Sequence, residues 1–299
     1  MKEALYYEKL KDKTTQCHLC PNECLIKNEK TGKCLNRKNI DGTLYSLNYG
    51  RISSVALDPI EKKPLYHFYP GSGILSFGTT GCSLKCDFCQ NCQISMSGPE
   101  HTEPMTPQEC IRLALERQQK LVAYTYNEPY IWFEHVLECS ILARENGLKN
   151  VLVTNGFYNP EPFLELLQYT DAMNIDLKAF SNEFYKKYCF AELNPVLETI
   201  RTAYGKTVIE ITTLIIPGLN DSEEEIEKLV NFIAEIDVEI PFHISRYFPR
   251  HKRIDPPTGE AVLRRIEKQA KKQLKHVYVG NAAGFDSHTY CAQCGEILI

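Results

Sequence analysis

Three cysteines, Cys82, Cys86 and Cys89, fall in the run Gly81-Cys82-Ser83-Leu84-Lys85-Cys86-Asp87-Phe88-Cys89-Gln90-Asn91, spaced C-x3-C-x2-C. Thiolates are the usual protein ligands of iron–sulfur clusters. A structural metal site closes its shell with four protein ligands, whereas a catalytic one keeps a position open. Three thiolates on one loop therefore suit a [4Fe–4S] cluster with one iron left free for a substrate or cosubstrate. The competing readings are a loop of reduced thiols or a zinc knuckle, although a knuckle would read C-x2-C with a second pair.

A second set, Cys17-x2-Cys20-x3-Cys24 followed by Cys34, offers four further ligands. Four thiolates suit a closed zinc site or an accessory [4Fe–4S] cluster. Pro21 and Gly32 fit tight ligand turns. Cys291-Ala292-Gln293-Cys294-Gly295 reads as half of a zinc knuckle, with Cys17 and Cys20 as candidate partners in a split ribbon and His288 as a further ligand. Cys110, Cys139 and Cys189 stand alone in apolar surroundings and read as core residues.

Bulk properties narrow the function classes. The chain has 299 residues, 43% of them hydrophobic, and a formal charge of −4. That size supports a large core. No basic field is present to draw nucleic acid, and no apolar stretch reaches the ~20 residues of a membrane helix. The start, Met1-Lys2-Glu3-Ala4-Leu5, has no apolar signal core, so a cytoplasmic protein is expected. In a reducing compartment, thirteen cysteines point to metal or redox chemistry rather than disulfides.

The elements that must position these groups follow from periodicity. Residues 1–70 read as a small metal-stapled extension with a short hairpin near Asp41-Gly42. Residues 71–285 read as repeated strand, loop and helix. Buried parallel strands are predicted at Ile74–Phe77, Leu121–Thr125, Val151–Val153, Met173–Leu177, Val208–Leu214, Phe242–Ser245 and Val277–Val279. Helices are predicted to start at Thr106-Pro107, about Tyr130, Asn159-Pro160, Ser222 and Pro257-Thr258, the last reaching Lys275. Residues 286–299 form a C-terminal tail. The expected fold class is α/β, a partial (β/α)6 barrel. In such barrels the active site lies at the carboxyl ends of the strands. Polar residues recur there: Asn127 and Glu128, Thr154 and Asn155, Asp176 and Lys178, Glu210, Thr212 and Thr213, His243 and Arg246, and Asn281.

The cysteine run resembles the radical S-adenosylmethionine (radical SAM) signature. The resemblance implies that the open iron chelates the amino and carboxylate groups of S-adenosylmethionine, with Phe88 beside the adenine. Tyr126-Asn127-Glu128-Pro129 is similar to the Gly-Gly-Glu-Pro motif that receives the ammonium group, with Tyr126 and Asn127 in place of the two glycines. Thr154-Asn155-Gly156 and Asp176-Leu177-Lys178 resemble segments of pyruvate formate-lyase activating enzymes that hold the carboxylate and ribose. By the same resemblance His243 and Arg246 contact the cofactor near its ribose or carboxylate, and Asn281 touches the adenine.

Asp58-Pro59-Ile60-Glu61-Lys62-Lys63-Pro64-Leu65-Tyr66-His67-Phe68, together with the cysteine loop and Tyr-Asn-Glu-Pro, looks like the AmmeMemoRadiSam group. That group implies Memo-like and AMMECR-like partners and a one-electron donor such as flavodoxin or ferredoxin. The implied reaction is reductive cleavage of S-adenosylmethionine to a 5′-deoxyadenosyl radical, which abstracts hydrogen from a glycyl radical protein, a small molecule or a peptide. Cys92, where an aromatic residue often follows Gln-Asn, departs from the pattern and is left out of the site. The rival from another class is a zinc-bound scaffold without catalysis.

Overall fold

The computed structural model describes residues 1–291 and 294–299. Its centre is one eight-stranded sheet whose spatial order follows the chain. The strands are β1 (Ser54–Pro59), β2 (Gly73–Gly78), β3 (Leu121–Tyr124), β4 (Lys149–Thr154), β5 (Ala172–Asp176), β6 (Val208–Ile215), β7 (Phe242–Arg246) and β8 (Val277–Gly280). β1 runs antiparallel to β2, and all later neighbours are parallel. β1 and β8 remain at opposite edges, so the sheet is an open α/β winding rather than a closed barrel.

Near-continuous apolar runs explain the parallel part. All four residues of β3 are buried, as expected where both faces are covered. The two faces then divide by alternation. Val122 and Tyr124 join the large cluster beneath the helices. Leu121, Ala123, Val151 and Ala172 instead pack on Ile60, Leu65 and Phe68. The segment 60–68 thus plugs the inner face of the sheet at its amino end. Glu210 fixes the plug by accepting the backbone N–H groups of Tyr66 and His67 at 2.8 and 2.7 Å. Beyond the plug, a cavity opens at the carboxyl end.

Helices α1 (Pro107–Glu116), α2 (Phe133–Glu145), α3 (Pro160–Leu167), α4 (Asn194–Ala203), α5 (Glu223–Ile236) and α6 (Glu260–Ala270) lie in the crossovers. Thr106 and Glu109 form a reciprocal capping box on α1, and Ser222 accepts from the Glu225 N–H at the start of α5. One helix end and one whole helix differ from expectation. α6 stops at Ala270 instead of Lys275, because the chain turns there to bury Leu274 and bring the Lys275 N–H to Val238 O. α4 was not anticipated, although Val196, Leu197, Ile200 and Ala203 are spaced along one helical face and are all buried.

Two small antiparallel sheets precede the main one. The strands Tyr7–Lys9, Thr15–Cys17 and Leu25–Ile26 form the first; Lys2–Glu3, Thr43–Ser46 and Arg37–Ile40 form the second. The hairpin in the second turns over Asp41 and Gly42, with φ of +54° and +83°, as a two-residue turn of this hand requires. Ala4, Leu19, Ile26 and Leu44 share the buried cluster of Phe133 and Val136, so these sheets rest on the same core as the crossover helices.

Candidate active site

At the carboxyl end of the sheet lies a cavity of about 310 Å³. Its wall includes Cys82, Cys86, Cys89 and Phe88 from the loop after β2, Asn127 and Glu128 after β3, and Thr154 and Asn155 at the end of β4. Asp176, Lys178, Thr212 and Asn281 complete the ring from β5, β6 and β8. Among the described residues, no fourth cysteine and no histidine lines it.

The cysteine loop is shaped from several sides. Gly81, at φ +86°, lies so close to Cys34 O and Asn36 Nδ2 that a Cβ would run into both. Lys85 and Asp87 donate their N–H groups to the carbonyls of Cys189 and Tyr188, at 3.0 and 3.1 Å. Asn155 Nδ2 reaches Cys82 Sγ at 3.5 Å, and the Ser95 hydroxyl lies 3.0 Å from Cys89 Sγ. Burial raises the Cys82 and Cys89 thiols above the ordinary range, with the Glu128 carboxylate adding to the shift of Cys82; for Cys86 the leading cause is a hydrogen bond with Cys189, with burial next. Such thiols stay neutral until a metal replaces their protons. Three convergent thiols without a fourth protein ligand fit a [4Fe–4S] cluster with one open iron.

Glu128 is the acidic counterpart. Its carboxylate accepts the N–H groups of Asn155 (2.8 Å) and Tyr130 (3.0 Å) and the Thr154 hydroxyl (2.9 Å). Burial pushes its pKa up to about 7, against the pull of those donors. Asp176 pairs with Lys178 at 2.5 Å. Thr212 contributes a buried hydroxyl that has no protein partner, so a polar ligand atom has somewhere to bind.

The two residues standing where glycines were expected have visible duties. Tyr126 holds φ +73°, a conformation a glycine would take freely. Its ring lies over Gly78, where a Cβ would come within 2.8 Å of it. Asn127 accepts the Thr79 N–H at 3.1 Å and donates to Gly81 O at 3.0 Å, fastening the start of the cysteine loop.

His243 and Arg246 are not brought to the cavity wall. His243 Nε2 lies 2.6 Å from Glu210 Oε2, beside the Tyr66 and Tyr278 rings, so it braces the plug below. Arg246 donates from Nε to Thr258 O at 2.9 Å and lies over the Phe248 ring. The sequence signals Cys189 only as core, and no local motif points to its contact with Cys86. Lys62 and Lys63 also reach the cavity wall, carried there by the plug.

Cys17, Cys20, Cys24 and Cys34 line a second, small cavity together with Arg37 and Ile131. Cys291 and Cys294 are not part of its wall, and Ala292 and Gln293 of the anticipated knuckle lie outside the described residues. Cys110 and Cys139 are fully buried and flank His135 between α1 and α2. Among the described residues these three are the one Cys, His or carboxylate trio with ligand atoms all within 4.8 Å of one another. His135 Nδ1 accepts the Gly50 N–H at 3.2 Å and its ring stacks on Trp132 at 4.0 Å, which makes the trio a packing unit of the core. No helix among the described residues is long and apolar enough to cross a membrane.

The radical SAM superfamily pattern matches residues 77–233. An uncharacterized protein of Methanocaldococcus jannaschii is 43% identical over the whole chain and 91% of its own length. The pyruvate formate-lyase-activating enzyme of Clostridium pasteurianum is 27% identical over 66% of this chain and 88% of its own. Among solved structures, a radical SAM methyltransferase from Sphaerobacter thermophilus superposes with a TM-score of 0.57 at 18% identity, covering 77% of this chain and 72% of that one. That likeness speaks for the fold.

Proposed function

The chain belongs to the radical SAM superfamily, and from that premise we propose that it cleaves S-adenosylmethionine reductively and uses the 5′-deoxyadenosyl radical to take a hydrogen atom from a substrate. The observation that carries this reading is the meeting of Cys82, Cys86 and Cys89 with Glu128 around one cavity at the strand ends. When bound, a [4Fe–4S] cluster supplies the electron for the carbon–sulfur cleavage. Cys82, Cys86 and Cys89 would hold it. Glu128 would take the ammonium group of the cosubstrate in a charge-assisted hydrogen bond. Phe88, Asn155, Asp176, Lys178, Thr212 and Asn281 would orient the rest. Crossover helices outside the sheet and the 60–68 plug beneath it restrict water to the mouth, which protects a reactive species.

Relatives such as the pyruvate formate-lyase-activating enzyme favour a glycine on a partner protein as the hydrogen donor, with a flavodoxin or ferredoxin as the electron source. Memo-like and AMMECR-like proteins are the partners to test first, on the resemblance carried by residues 58–68. Cys17, Cys20, Cys24 and Cys34 would bind a second metal centre. The test is anaerobic incubation of the reduced protein with S-adenosylmethionine. 5′-Deoxyadenosine should form in the wild type and not in Cys86→Ala. Formation by Cys86→Ala would refute the reading. A persistent electron paramagnetic resonance doublet on an added partner would identify a glycyl radical product.

A further inference from the structure

The four cysteines of the N-terminal sheets differ in one geometric respect from a zinc site. A zinc ion with thiolates at about 2.3 Å holds its sulfurs only about 3.8 Å apart. Cys110, His135 and Cys139 are the single trio among the described residues with all ligand atoms within 4.8 Å, so no three of Cys17, Cys20, Cys24 and Cys34 approach that closely. Yet all four line one cavity. A cubane spreads its thiolates more widely, because each sulfur binds its own iron. Cys82, Cys86 and Cys89 likewise do not all fall within 4.8 Å of one another.

A second observation points to a ligand in the same place. Arg37 lines this cavity and is 1% exposed. Its two terminal nitrogens are engaged by Glu134 and Leu5 O, but its Nε–H has no partner. A buried donor left unpaired is unusual and costly. Cluster sulfide and thiolate sulfur are acceptors of the kind it lacks.

The cavity is also joined to the cysteine loop after β2 by two asparagines. Asn22 Nδ2 donates to Ser83 O at 2.8 Å and lies 3.5 Å from Cys20 Sγ. Asn36 Nδ2 donates to Thr80 O at 2.8 Å and lies 3.4 Å from Cys34 O. Gly81 packs directly on that Cys34 carbonyl. Each bridge therefore spans from one cysteine set to the residues flanking Cys82. We propose that Cys17, Cys20, Cys24 and Cys34 ligate a second [4Fe–4S] cluster, through which single electrons reach the cluster at Cys82, Cys86 and Cys89.

The relay rests on the proposed function of that first site, whereas the second cluster itself does not. One electron from a low-potential donor takes the four-cysteine cluster from its 2+ to its 1+ state. The same electron then leaves for the three-cysteine site. No bond forms or breaks, and no proton moves.

The experiment is anaerobic reconstitution of the full chain with ferrous iron, sulfide and an equal amount of zinc, followed by metal analysis and electron paramagnetic resonance after dithionite reduction. The wild type should hold about eight irons and little zinc, and Cys17→Ser/Cys20→Ser and Cys82→Ser/Cys86→Ser/Cys89→Ser about four each. S-adenosylmethionine should shift the spectrum of the first variant and leave that of the second unchanged. Reduction of the three-cysteine cluster by photoreduced flavodoxin should be at least ~10-fold slower in Cys17→Ser/Cys20→Ser. About four irons and one zinc in the wild type would overturn the second cluster, and so would four irons with no zinc. About four irons lost with Cys17→Ser/Cys20→Ser but none with the triple variant would instead refute the first site. An unchanged reduction rate would overturn the relay and leave the second cluster standing. The wild-type count needs no variant to fold.

Discussion

Asn155 donates its backbone N–H to Glu128 Oε2 over 2.8 Å, so the carboxylate after β3 is fixed from the end of β4. The Asn155 side chain reaches Cys82 Sγ and the Ser83 hydroxyl, at 3.5 and 3.1 Å. One asparagine thus relates the acidic end of the cavity to the thiol end. Glu128→Gln exchanges one acceptor oxygen for an amide NH2 that faces the Asn155 N–H, the Tyr130 N–H or the Thr154 hydroxyl. The expected cost is about 1–3 kcal/mol of stability, read from urea unfolding. Loss of the charge should also weaken S-adenosylmethionine binding about 10- to 100-fold in equilibrium dialysis. Unchanged affinity would remove Glu128 from the cosubstrate site.

Tyr126 keeps its left-handed backbone partly through its hydroxyl, which donates to Asp58 Oδ2 at 2.6 Å. Lys63 Nζ reaches the same carboxylate oxygen at 2.7 Å and lies 4.4 Å above the Tyr126 ring. Tyr126→Phe leaves the ring in place and removes one hydrogen bond to a charged acceptor. Stability should fall by about 1.5–3 kcal/mol, seen as a lower urea midpoint with an unchanged slope.

Arg37 and Glu134 form an ion pair at 2.8 Å with each side chain 1% exposed. The pair joins the N-terminal hairpin to α2. Arg37→Met strands a buried carboxylate and should cost about 3–5 kcal/mol. Arg37→Met/Glu134→Leu should recover most of that loss, because an apolar pair needs no charge compensation. A double variant as unstable as the single one would show that the stranded Glu134 carboxylate is not the source of the loss.

Particular residues show how much was readable in advance. The parallel strands were legible because their apolar runs are bounded by turns, and the cavity residues because each strand ends in a polar group. His243 misled for a physical reason: a strand-end histidine looks the same whether it faces a ligand or, as here, the buried Glu210 at 2.6 Å. The role of the 60–68 plug was hidden, since Glu210 holds it from more than a hundred residues away in the chain. Cys189 was hidden likewise. It holds the cysteine loop through its backbone carbonyl on Lys85, which any residue carries, and through a thiol contact with Cys86 from more than a hundred residues away in the chain.

His135 gives the fold a built-in sensitivity to acid. Burial pushes its pKa from 6.5 down to about 3. Gly50 already donates to Nδ1 at 3.2 Å, and Nε2 lies 3.6 Å from Cys110 Sγ, so a second ring proton would confront the Gly50 N–H. The unfolded chain takes up a proton near pH 6.5, and the folded chain does not until about pH 3. Between those values the unfolded state binds more protons, so stability falls as pH falls, by roughly 1.4 kcal/mol per pH unit. His135→Phe preserves the stack on Trp132 and removes the titrating group. It should be less stable than the wild type at pH 7.5, with the Gly50 N–H left unpaired, yet lose markedly less between pH 6.5 and pH 5. Anaerobic urea titrations of both proteins across that window would measure it. Parallel pH profiles would mean that His135 is protonated in the folded state.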